Sequence, residues 1–480
     1  MGGRFHVFDS SEELQRLIGE FYPYRERLAT FLRLPVTGRP ADEVLADLRW
    51  LAETEHAQAH RGQVSGSVYH GGAEHYAVLN QAFSLFSHAN VLQRDMYPSA
   101  TKFEAEIVAM TAAMLGADAA PGVCGVLTSG GTESLLSQVL TYRDQARTER
   151  GITDPEIIVP ASGHCSVDKA GRYFGVRIVH APLRDDWTVD VDWVDRHVTP
   201  DTVALMGSAG NYPYGVVDPV AELGEIARRH GIGLHVDACL GGFILPWAAR
   251  LGHDVPAFDF TVPGVTSISV DTHKFGYGLK GTGVLLYRSR ELRRYQYFAV
   301  ADWPGGLYVS PGMAGSRSGG LIASTWAAMV TLGEQGYLAD AREILRTTDQ
   351  LRSAVADVEG LRLLGRSPFV VAFDSADPDL DVFVVNDELV ARGWRLNGLQ
   401  RPPGLHFCVT RPTTAPGVVD RFATDLVEAV KAAIGRPAGS ARSGALYERS
   451  GSGSGSGEAG LAVAQDLLIA ALDAFYDPAP

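Results

Sequence analysis

The stretch VTSISVDTHKFGYGLKGTGVLLY (265–287) sets two lysines, Lys274 and Lys280, between two apolar runs. The runs VTSISV (265–270) and GVLLY (283–287) are rich in β-branched or large apolar residues and predict strands. Glycines punctuate the segment between them, which predicts a loop. Lysine is among the residue types that are least often fully buried. The pattern therefore predicts strand, loop and strand with charged amines at the loop's tip, either in a solvated loop or at a functional site.

Similar short apolar runs recur upstream, separated by turns and helical patterns. The full set is VCGVL (123–127), EIIVP (156–160), VRIVH (176–180), TVALM (202–206), GLHVD (233–237), TSISV (266–270) and GVLLY (283–287). Seven such runs with intervening helices predict a mainly parallel seven-stranded sheet that is covered on both faces. The large domain is therefore expected to have an α/β fold.

The patterning also predicts how the chain divides. Helical patterns fill residues 1–60, and the α/β rhythm occupies 61–335. The pattern then changes to helix, short strands and helix, which predicts a smaller α+β domain over 336–480. A Gly/Ser-rich tract at 450–457 is either a natural loop or an added linker. The N-terminal segment would wrap a partner subunit or cap the sheet.

The composition excludes several classes of protein. A hydrophobic fraction of 46% over 480 residues is that of a globular chain with more than one domain. The net charge of −14 offers no basic field for nucleic acid. No uninterrupted apolar run reaches membrane-spanning length, and the first residues lack the order of a signal peptide. The four cysteines show no metal-ligand spacing, so we expect a soluble, reduced, cytoplasmic protein without a metal site.

Polar stretches follow several of the predicted strands. LTSGGTES (127–134) precedes a helical pattern, so Gly131 and the free N–H groups of the helix start are suited to a phosphate, and Thr132 adds a hydroxyl. A helix start with a tight turn is the alternative. In HVDACLGG (235–242), Asp237 is the last residue of a predicted strand. Its carboxylate is suited either to hydrogen-bond a protonated ring nitrogen or to cap a turn or helix. His164 follows another strand, where it would stack on a flat cofactor or serve as an ordinary histidine.

These features together are the parts that pyridoxal phosphate (PLP) requires. Because the carboxyl ends of parallel strands share one edge of a sheet, the stretches could converge there. Lys274 would form the Schiff base with the cofactor aldehyde, the helix start would take the phosphate, and Asp237 would partner the pyridinium nitrogen. A lysine with this task belongs at a loop tip that faces a cleft.

Longer motifs resemble the sphingosine-1-phosphate lyases, within the group II decarboxylase-like branch of the fold-type I PLP enzymes. The resemblance extends from about Val64 to Tyr447. It rests on VSGSVY (64–69), TSGGTES (128–134), YPYGVVDP (212–219), HVDACLGGF (235–243), GVTSISVDTHKFGYGLKG (264–281), GSRSGG (315–320) and LHFCVT (405–410). HVDACLGG and DTHKFGYGLKG favour the lyases, because amino-acid decarboxylases of this branch typically have HVDAAYGG and a shorter His-Lys motif.

The resemblance implies roles for the cofactor residues. Lys274 would carry PLP, Asp237 would bond its ring nitrogen and His164 would stack on the ring. Gly131 and Thr132 would bind the cofactor phosphate.

His273 would join them at that phosphate, and Ser316 in the GSRSGG loop would reach a cofactor phosphate across a dimer interface. The resemblance therefore implies a homodimer with active sites at its interface.

The same resemblance implies residues that bind substrate. Tyr69 and Lys280 would bind the substrate's phosphate, and Tyr212 would touch the reacting centre. Tyr447 is similar to a tyrosine that lies near the phosphate, although a loop aromatic that packs a domain junction is the alternative.

The chain departs from the family in one stretch. NVLQRD (90–95) stands where the family usually has Asn-Pro-Leu-His-Pro-Asp. Asn90 is retained, but Gln93 replaces a phosphate-contacting histidine and brings no charge. Arg94 would supply a bidentate phosphate contact instead or form a surface ion pair.

The expected reaction is retro-aldol cleavage of a phosphorylated long-chain base to a fatty aldehyde and phosphoethanolamine. Its base is Lys274 once released, Tyr212, or a water ordered by the substrate phosphate. The alternatives are a PLP-dependent amino-acid decarboxylase, a lyase for another β-hydroxy amine or amino acid, and a catalytically silent protein of the same fold.

Overall fold

The large sheet has the strands that the apolar runs predict. The computed structural model describes residues 24, 27–437, 439–443 and 458–476. The strands of this sheet are β1 (Cys124–Thr128), β2 (Glu156–Pro160), β3 (Arg177–Ala181), β4 (Thr202–Ser208), β5 (Gly233–Asp237), β6 (Ser267–Val270) and β7 (Gly283–Tyr287). The predicted seven-stranded sheet is therefore confirmed.

The order of the strands is β1-β7-β6-β5-β4-β2-β3. Neighbours from β6 through β5, β4 and β2 to β3 pair in parallel. The exception is β7, which runs antiparallel to both β6 and β1. The sheet is thus mainly parallel, as predicted, and β1 runs in the same direction as β6.

Both faces of the sheet are covered. Successive residues of a strand point to opposite faces, and every residue of β2, β4 and β7 is buried. Leu135 and Val139 of the helix after β1 pack in one core with Ile157 of β2 and Leu285 of β7. Burial on both faces explains why these strands are continuous apolar runs in the sequence.

Helices connect and flank the strands. Those before and within the α/β region are α1 (Ala41–Ala59), α2 (Ala73–Leu85), α3 (Pro98–Met114), α4 (Gly131–Arg150), α5 (Ser166–Phe174), α6 (Val191–His197), α7 (Val220–His230), α8 (Leu245–Arg250) and α9 (Arg290–Arg293). They are followed by α10 (Gly319–Ala356), α11 (Val382–Ala391), α12 (Val418–Ala433) and α13 (Glu458–Phe475). Within α10 the backbone leaves helical geometry at Gly333. In the part of the chain that the structure describes, no helix has both the length and the apolarity to cross a membrane.

The remaining strands are short. A hairpin pairs β8 (Phe298–Val300) with β9 (Tyr308–Ser310), and a four-stranded sheet has the order β10-β11-β13-β12. Its strands are β10 (Leu361–Leu363), β11 (Val370–Ser375), β12 (Asn397–Gln400) and β13 (Pro403–Cys408).

The chain forms two compact units. One comprises 64–374 and 406–424, and the other comprises 1–63, 375–405 and 425–480. The domain boundaries drawn from the sequence at residues 60 and 335 stay predictions. The Gly/Ser tract and Tyr447 lie outside the described residues.

Glycines allow α7 to approach the segment that leads into β6. A Cβ on Gly264 would overlap the backbone of Gly224, which lies in α7. The glycine at 264, directly before the VTSISV run, therefore lets α7 pack against the backbone that leads into β6.

Replacing Gly264 by alanine should weaken this packing. Overpacking a close contact costs about 1–3 kcal/mol, so Gly264→Ala should lower the free energy of unfolding by about that amount in urea denaturation. Gly38→Ala is the control, because a Cβ at Gly38 meets no atom within 4 Å. Equal unfolding midpoints for both variants would contradict the predicted overlap.

Candidate active site

Four loops meet at the carboxyl edge of the large sheet. They follow β1, β2, β5 and β6, whose carboxyl ends share this edge because the strands run in one direction. At their meeting point, a Cβ on Gly131 would lie 2.8 Å from Sγ of Cys239 and 3.1 Å from Oδ2 of Asp271. The structure thus brings together the four stretches that the sequence singled out.

Lys274 lies in the loop after β6 and pairs with a buried carboxylate. Its Nζ is 2.9 Å from Oδ2 of Asp271, which is 2% exposed. Burial lowers the pKa of Lys274, but the opposite charge of Asp271 outweighs it and the pKa lies above its ordinary value. Oδ1 of Asp271 is buried and has no hydrogen-bond partner among the described residues.

The start of α4 is suited to an anion. Its N-cap is Gly130, with a φ of 131° and no side chain that caps the helix. Free N–H groups at such an end attract phosphate. Oγ1 of Thr132 lies 3.1 Å from Oγ of Ser166, and a Cβ on Gly130 would lie 2.7 Å from Cε1 of His273. Thr132 and His273 therefore both lie at this helix end.

His273 has a defined orientation. Its Nδ1 donates to the carbonyl oxygen of Thr282 at 2.5 Å. Its Nε2 lies 3.7 Å from Oδ2 of Asp271. Burial lowers the pKa of His273, so the neutral imidazole is favoured.

Asp237 ends β5 as a buried anion. Its Oδ1 accepts hydrogen bonds from the N–H of Cys239 at 3.0 Å and from Oγ of Ser269 at 3.3 Å. Burial by itself would raise the pKa of Asp237, but the charge of nearby His164 and the Cys239 N–H bring it below its ordinary value. A carboxylate that stays ionised is what a protonated ring nitrogen requires.

His164 is oriented by the start of α5. Its Nδ1 accepts from the backbone N–H of Ser166 at 3.2 Å and lies 2.9 Å from that residue's Oγ. Its ring meets Tyr212 edge-on, with 6.3 Å between the ring centres. These contacts at Nδ1 leave Nε2 as the ring nitrogen without a partner in this local motif.

Tyr212 lies on a tightly bonded loop after β4. The side chain of Asn211 donates to Oγ of Ser162 at 3.2 Å and accepts from the N–H of Tyr214 at 3.0 Å. Gly215, with a φ of 68°, closes the turn by donating to the Asn211 carbonyl at 2.8 Å. Tyr212 itself is 48% exposed. Neighbouring side chains thus anchor the loop and leave the Tyr212 side chain accessible to a reactant.

A second histidine packs against Tyr212. The ring of His406, in β13, lies 4.8 Å from the Tyr212 ring, and its Nδ1 donates to the Pro213 carbonyl at 3.1 Å. Burial lowers the pKa of His406 to about 4, so the ring is neutral. Tyr212 is therefore held between the rings of His164 and His406.

Lys280 lies in the same loop as Lys274, and Tyr69 lies beside it. Nζ of Lys280 lies 4.8 Å from the centre of the Tyr69 ring and donates to the His273 carbonyl at 3.2 Å. Partial burial and repulsion by Lys274 lower the pKa of Lys280 to about 8. The Tyr69 hydroxyl is buried 3.8 Å from Sγ of Cys408, and burial raises its pKa well above its ordinary value.

The substituted stretch forms a separate network with the GSRSGG loop. Asn90 donates to Oγ of Ser316 at 3.0 Å and accepts from the N–H of Arg317 at 3.3 Å. Arg94 pairs with the buried Glu104 at 2.9 Å, and Arg317 pairs with the same carboxylate. Gln93 is exposed. Arg94 thus has an ion-pair partner, and the substrate contacts of Asn90, Gln93 and Arg94 stay predictions.

Two site residues were not singled out from the sequence. Asp271 has a local signal, because an acid directly after a β-branched run and three residues before a loop lysine lies within reach of it. His406 lies in the LHFCVT motif, but its contact with Tyr212 has no local signal, because only folding brings β13 to that loop.

These residues fit PLP. A buried carboxylate with an unpaired oxygen lies at the lysine, an uncapped helix start faces the same edge, and an ionised aspartate ends β5. The residues suited to the cofactor are Lys274, Asp237, His164, His273, Gly131 and Thr132. The lysine suits the aldehyde, the helix end suits the phosphate and Asp237 suits the ring nitrogen. The fold and this site define a PLP-dependent enzyme.

Comparison with known proteins agrees with this class and narrows it. Residues 34–364 match the pyridoxal-dependent decarboxylase conserved domain. The sphingosine-1-phosphate lyase of Arabidopsis thaliana is 47% identical over 384 residues, which are 78% of this chain and 70% of that protein. The lyase of Saccharomyces cerevisiae is 38% identical over 95% of this chain and 77% of its own length.

Solved structures agree with these sequences. The sphingosine-1-phosphate lyase of Burkholderia pseudomallei superposes with a TM-score of 0.88 at 47% identity, covering 96% of this chain and 100% of that one. Glutamate decarboxylase of Lactobacillus brevis has a TM-score of 0.72 at 20% identity, covers 86% of this chain and 97% of its own, and shares the fold. The chain belongs to the sphingosine-1-phosphate lyase family and is a PLP-dependent lyase.

Gly131 offers a test of the cofactor site. Gly131→Ala would push a methyl group against Cys239 and Asp271, at a cost of about 1–3 kcal/mol. The dissociation constant for PLP should therefore rise about 5- to 150-fold, measured by absorbance titration of the apoenzyme.

The control is Gly151→Ala at the other end of α4, where a Cβ meets no atom within 4 Å. It should leave the affinity for PLP unchanged. Equal dissociation constants for Gly131→Ala and the wild type would show that the cofactor does not approach this helix end.

Proposed function

We propose that the protein cleaves a phosphorylated long-chain base of the sphingosine-1-phosphate type into a fatty aldehyde and phosphoethanolamine. The observation that carries the proposal is the contact between Tyr69 and Lys280, which lies in the same loop as Lys274. Nζ of Lys280 is 3.2 Å from the His273 carbonyl. Membership of the family, whose named relatives are sphingosine-1-phosphate lyases, supports the same substrate. The reaction belongs to sphingolipid metabolism.

The cofactor residues divide the work of holding PLP. When bound, PLP supplies the electron sink that carbon–carbon cleavage needs. In this proposal Lys274 would hold the cofactor and Asp237 would keep a proton on its ring nitrogen. His164 would stack on the ring. The low pKa of Asp237 supports its part, because an ionised carboxylate holds that proton more strongly than a neutral acid.

The phosphate of the substrate is bound by a cation and a phenol. Lys280 supplies the charge. The raised pKa of Tyr69 keeps its hydroxyl protonated and able to donate. Fixing the phosphate orients the substrate so that the bond between its α- and β-carbons is aligned for cleavage. This orientation selects carbon–carbon cleavage over decarboxylation.

Tyr212 is the group that we assign to the substrate's hydroxyl proton. It is accessible to solvent and is oriented by His164 and His406. Released Lys274 and an ordered water are the other groups within this proposal that could take the proton.

The active form in this proposal is a homodimer with active sites at its interface. Ser316 would reach the cofactor phosphate of the second subunit, and the hydrogen bond from Asn90 orients its hydroxyl. Asn90, Gln93 and Tyr447 would complete the substrate site. The ion pair with Glu104 directs Arg94 toward a structural role in the same segment.

A reducing compartment such as the cytoplasm suits this site. The free thiols of Cys239 and Cys408 lie next to Asp271 and Tyr69. Their oxidation would put bulky polar groups against the cofactor and the substrate phosphate.

Product analysis tests the substrate directly. Incubation with sphingosine-1-phosphate should give hexadecenal and phosphoethanolamine by mass spectrometry, and the unphosphorylated base should give neither. Carbon dioxide release from amino acids, without aldehyde from the phosphorylated base, would favour a decarboxylase. A yellow protein whose absorbance band is lost with borohydride, but which cleaves neither base, would redirect the search to other β-hydroxy amines or amino acids.

Lys280→Ala should separate substrate binding from cofactor binding. A hydrogen bond to a charged group is worth about 1.5–3 kcal/mol, so KM for the phosphorylated substrate should rise about 10- to 150-fold. The cofactor absorbance should be unchanged, and Lys280→Arg, which keeps the charge, should retain more of the affinity. Loss of the cofactor band in Lys280→Ala would mean that Lys280 serves the cofactor and not the substrate.

A further inference from the structure

Asp271 has a geometry that ordinary packing does not explain. It is 2% exposed, and the Lys274 Nζ lies 2.9 Å from its Oδ2. Its Oδ1 has no hydrogen-bond partner among the described residues, which is costly for a buried carboxylate. A buried carboxylate oxygen without a partner therefore needs an explanation beyond packing.

The surrounding backbone fixes the position of this carboxylate. A Cβ on Gly283 would lie 2.9 Å from Oδ1, and a Cβ on Gly131 would lie 3.1 Å from Oδ2. Two glycines therefore leave room for the Asp271 carboxylate between the start of β7 and the start of α4. With the carboxylate confined in this way, the distance to the lysine amine is fixed by the fold.

Other charged and titratable groups face Lys274 as well. Asp237, at the end of β5, attracts the amine, and Asp271 is the largest of the attractive groups. The Cys239 thiol in the loop after β5 faces the same site, and burial raises its pKa well above its ordinary value, so it carries no charge. Lys280 and His273 belong to the same loop as Lys274, and Lys280 repels it. Burial opposes the charge, yet the pKa of Lys274 lies above its ordinary value. Asp271 therefore decides the balance in favour of the ammonium form.

We propose that Asp271 is a positioning residue for Lys274: it holds the released amine in place and keeps it protonated until the amine gives its proton to the substrate. The inference deepens the proposed function, on which it rests for the role of Lys274. An ammonium is an acid and not a base. The structure thereby assigns the removal of the substrate's hydroxyl proton to Tyr212 or a water, and not to Lys274.

The charged amine has a use later in the same turnover. After the aldehyde has left, the N–H bond of the ammonium breaks and a C–H bond forms at the carbon from which the aldehyde departed. The electron pair stays on Nζ. Lys274 is then neutral, which is the form that can bind the cofactor again and release the amine product.

The test is a titration of the amine in full-length apoenzyme, prepared by removing the cofactor with hydroxylamine. Brief acetylation with isotopically labelled acetic anhydride between pH 6 and 11 modifies only neutral amines, and mass spectrometry reports Lys274 and Lys102 separately. Lys102 is exposed and pairs with Glu106 at 2.6 Å, so it serves as the internal reference. In the wild type, Lys274 should be labelled less than Lys102 throughout this pH range.

Asp271→Asn removes the charge and nearly keeps the shape. Burial and the repulsion by Lys280 are then opposed only by the weaker attraction of Asp237, so the pH at which Lys274 becomes labelled should fall by about one unit or more. Lys102 should not shift, and a far-UV circular dichroism spectrum that matches the wild type would show that the variant is folded. Asp374→Asn is the matched control: Asp374 is 3% exposed and pairs with Arg362 at 2.6 Å in the same unit. It should leave the titration of Lys274 unchanged.

Two results would overturn the proposal. One is a wild-type Lys274 that is labelled at lower pH than Lys102, and this result stands even if no variant folds. The other is a folded Asp271→Asn protein in which Lys274 titrates as in the wild type. Because the titration is made without cofactor or substrate, its outcome is independent of which products the enzyme forms.

Discussion

The antiparallel pairing of β7 with β6 and β1 is the constraint on which the site depends. Because β7 runs back along β6, the loop between them starts and ends at the carboxyl edge of the parallel strands. Lys274 and Lys280 are thereby placed at the edge where the strands β1, β2 and β5 also end. A further parallel strand in place of β7 would have required a crossover connection and would have drawn the chain to the opposite edge.

Close approach at this edge requires residues without side chains. Gly130 and Gly131 at the start of α4, and Gly283 at the start of β7, lie against His273, Cys239 and Asp271 at distances that no Cβ allows. The glycines let opposite charges meet out of solvent, and their attraction there is stronger than in water. Asp237 thus stays ionised in a buried site because it has donating and positive neighbours, and Asp271 has the Lys274 amine beside it.

The positions of the cations explain why we assign the substrate phosphate to Lys280 and not to Arg94. Lys280 lies in the Lys274 loop next to Tyr69, whereas Arg94 and Arg317 share the carboxylate of Glu104. An arginine in a partly buried ion pair is released only at the cost of leaving the carboxylate unpaired. Lys280, which lies in the same loop as Lys274, is therefore the cation that we propose for the substrate phosphate.

The sequence by itself determined the seven strands, the mainly parallel sheet, and the stretches that hold Lys274, Asp237 and Gly131. It did so because a strand that is buried on both faces is a short apolar run, and a tight turn is a glycine-rich stretch. Both patterns are visible within a few residues of the sequence. Only the tertiary structure decided the direction of β7, the pairing of Arg94 with Glu104 and the contact of His406 with Tyr212. These depend on which distant segments pack together, and side-chain partners that are far apart in the chain leave no periodic signal in it.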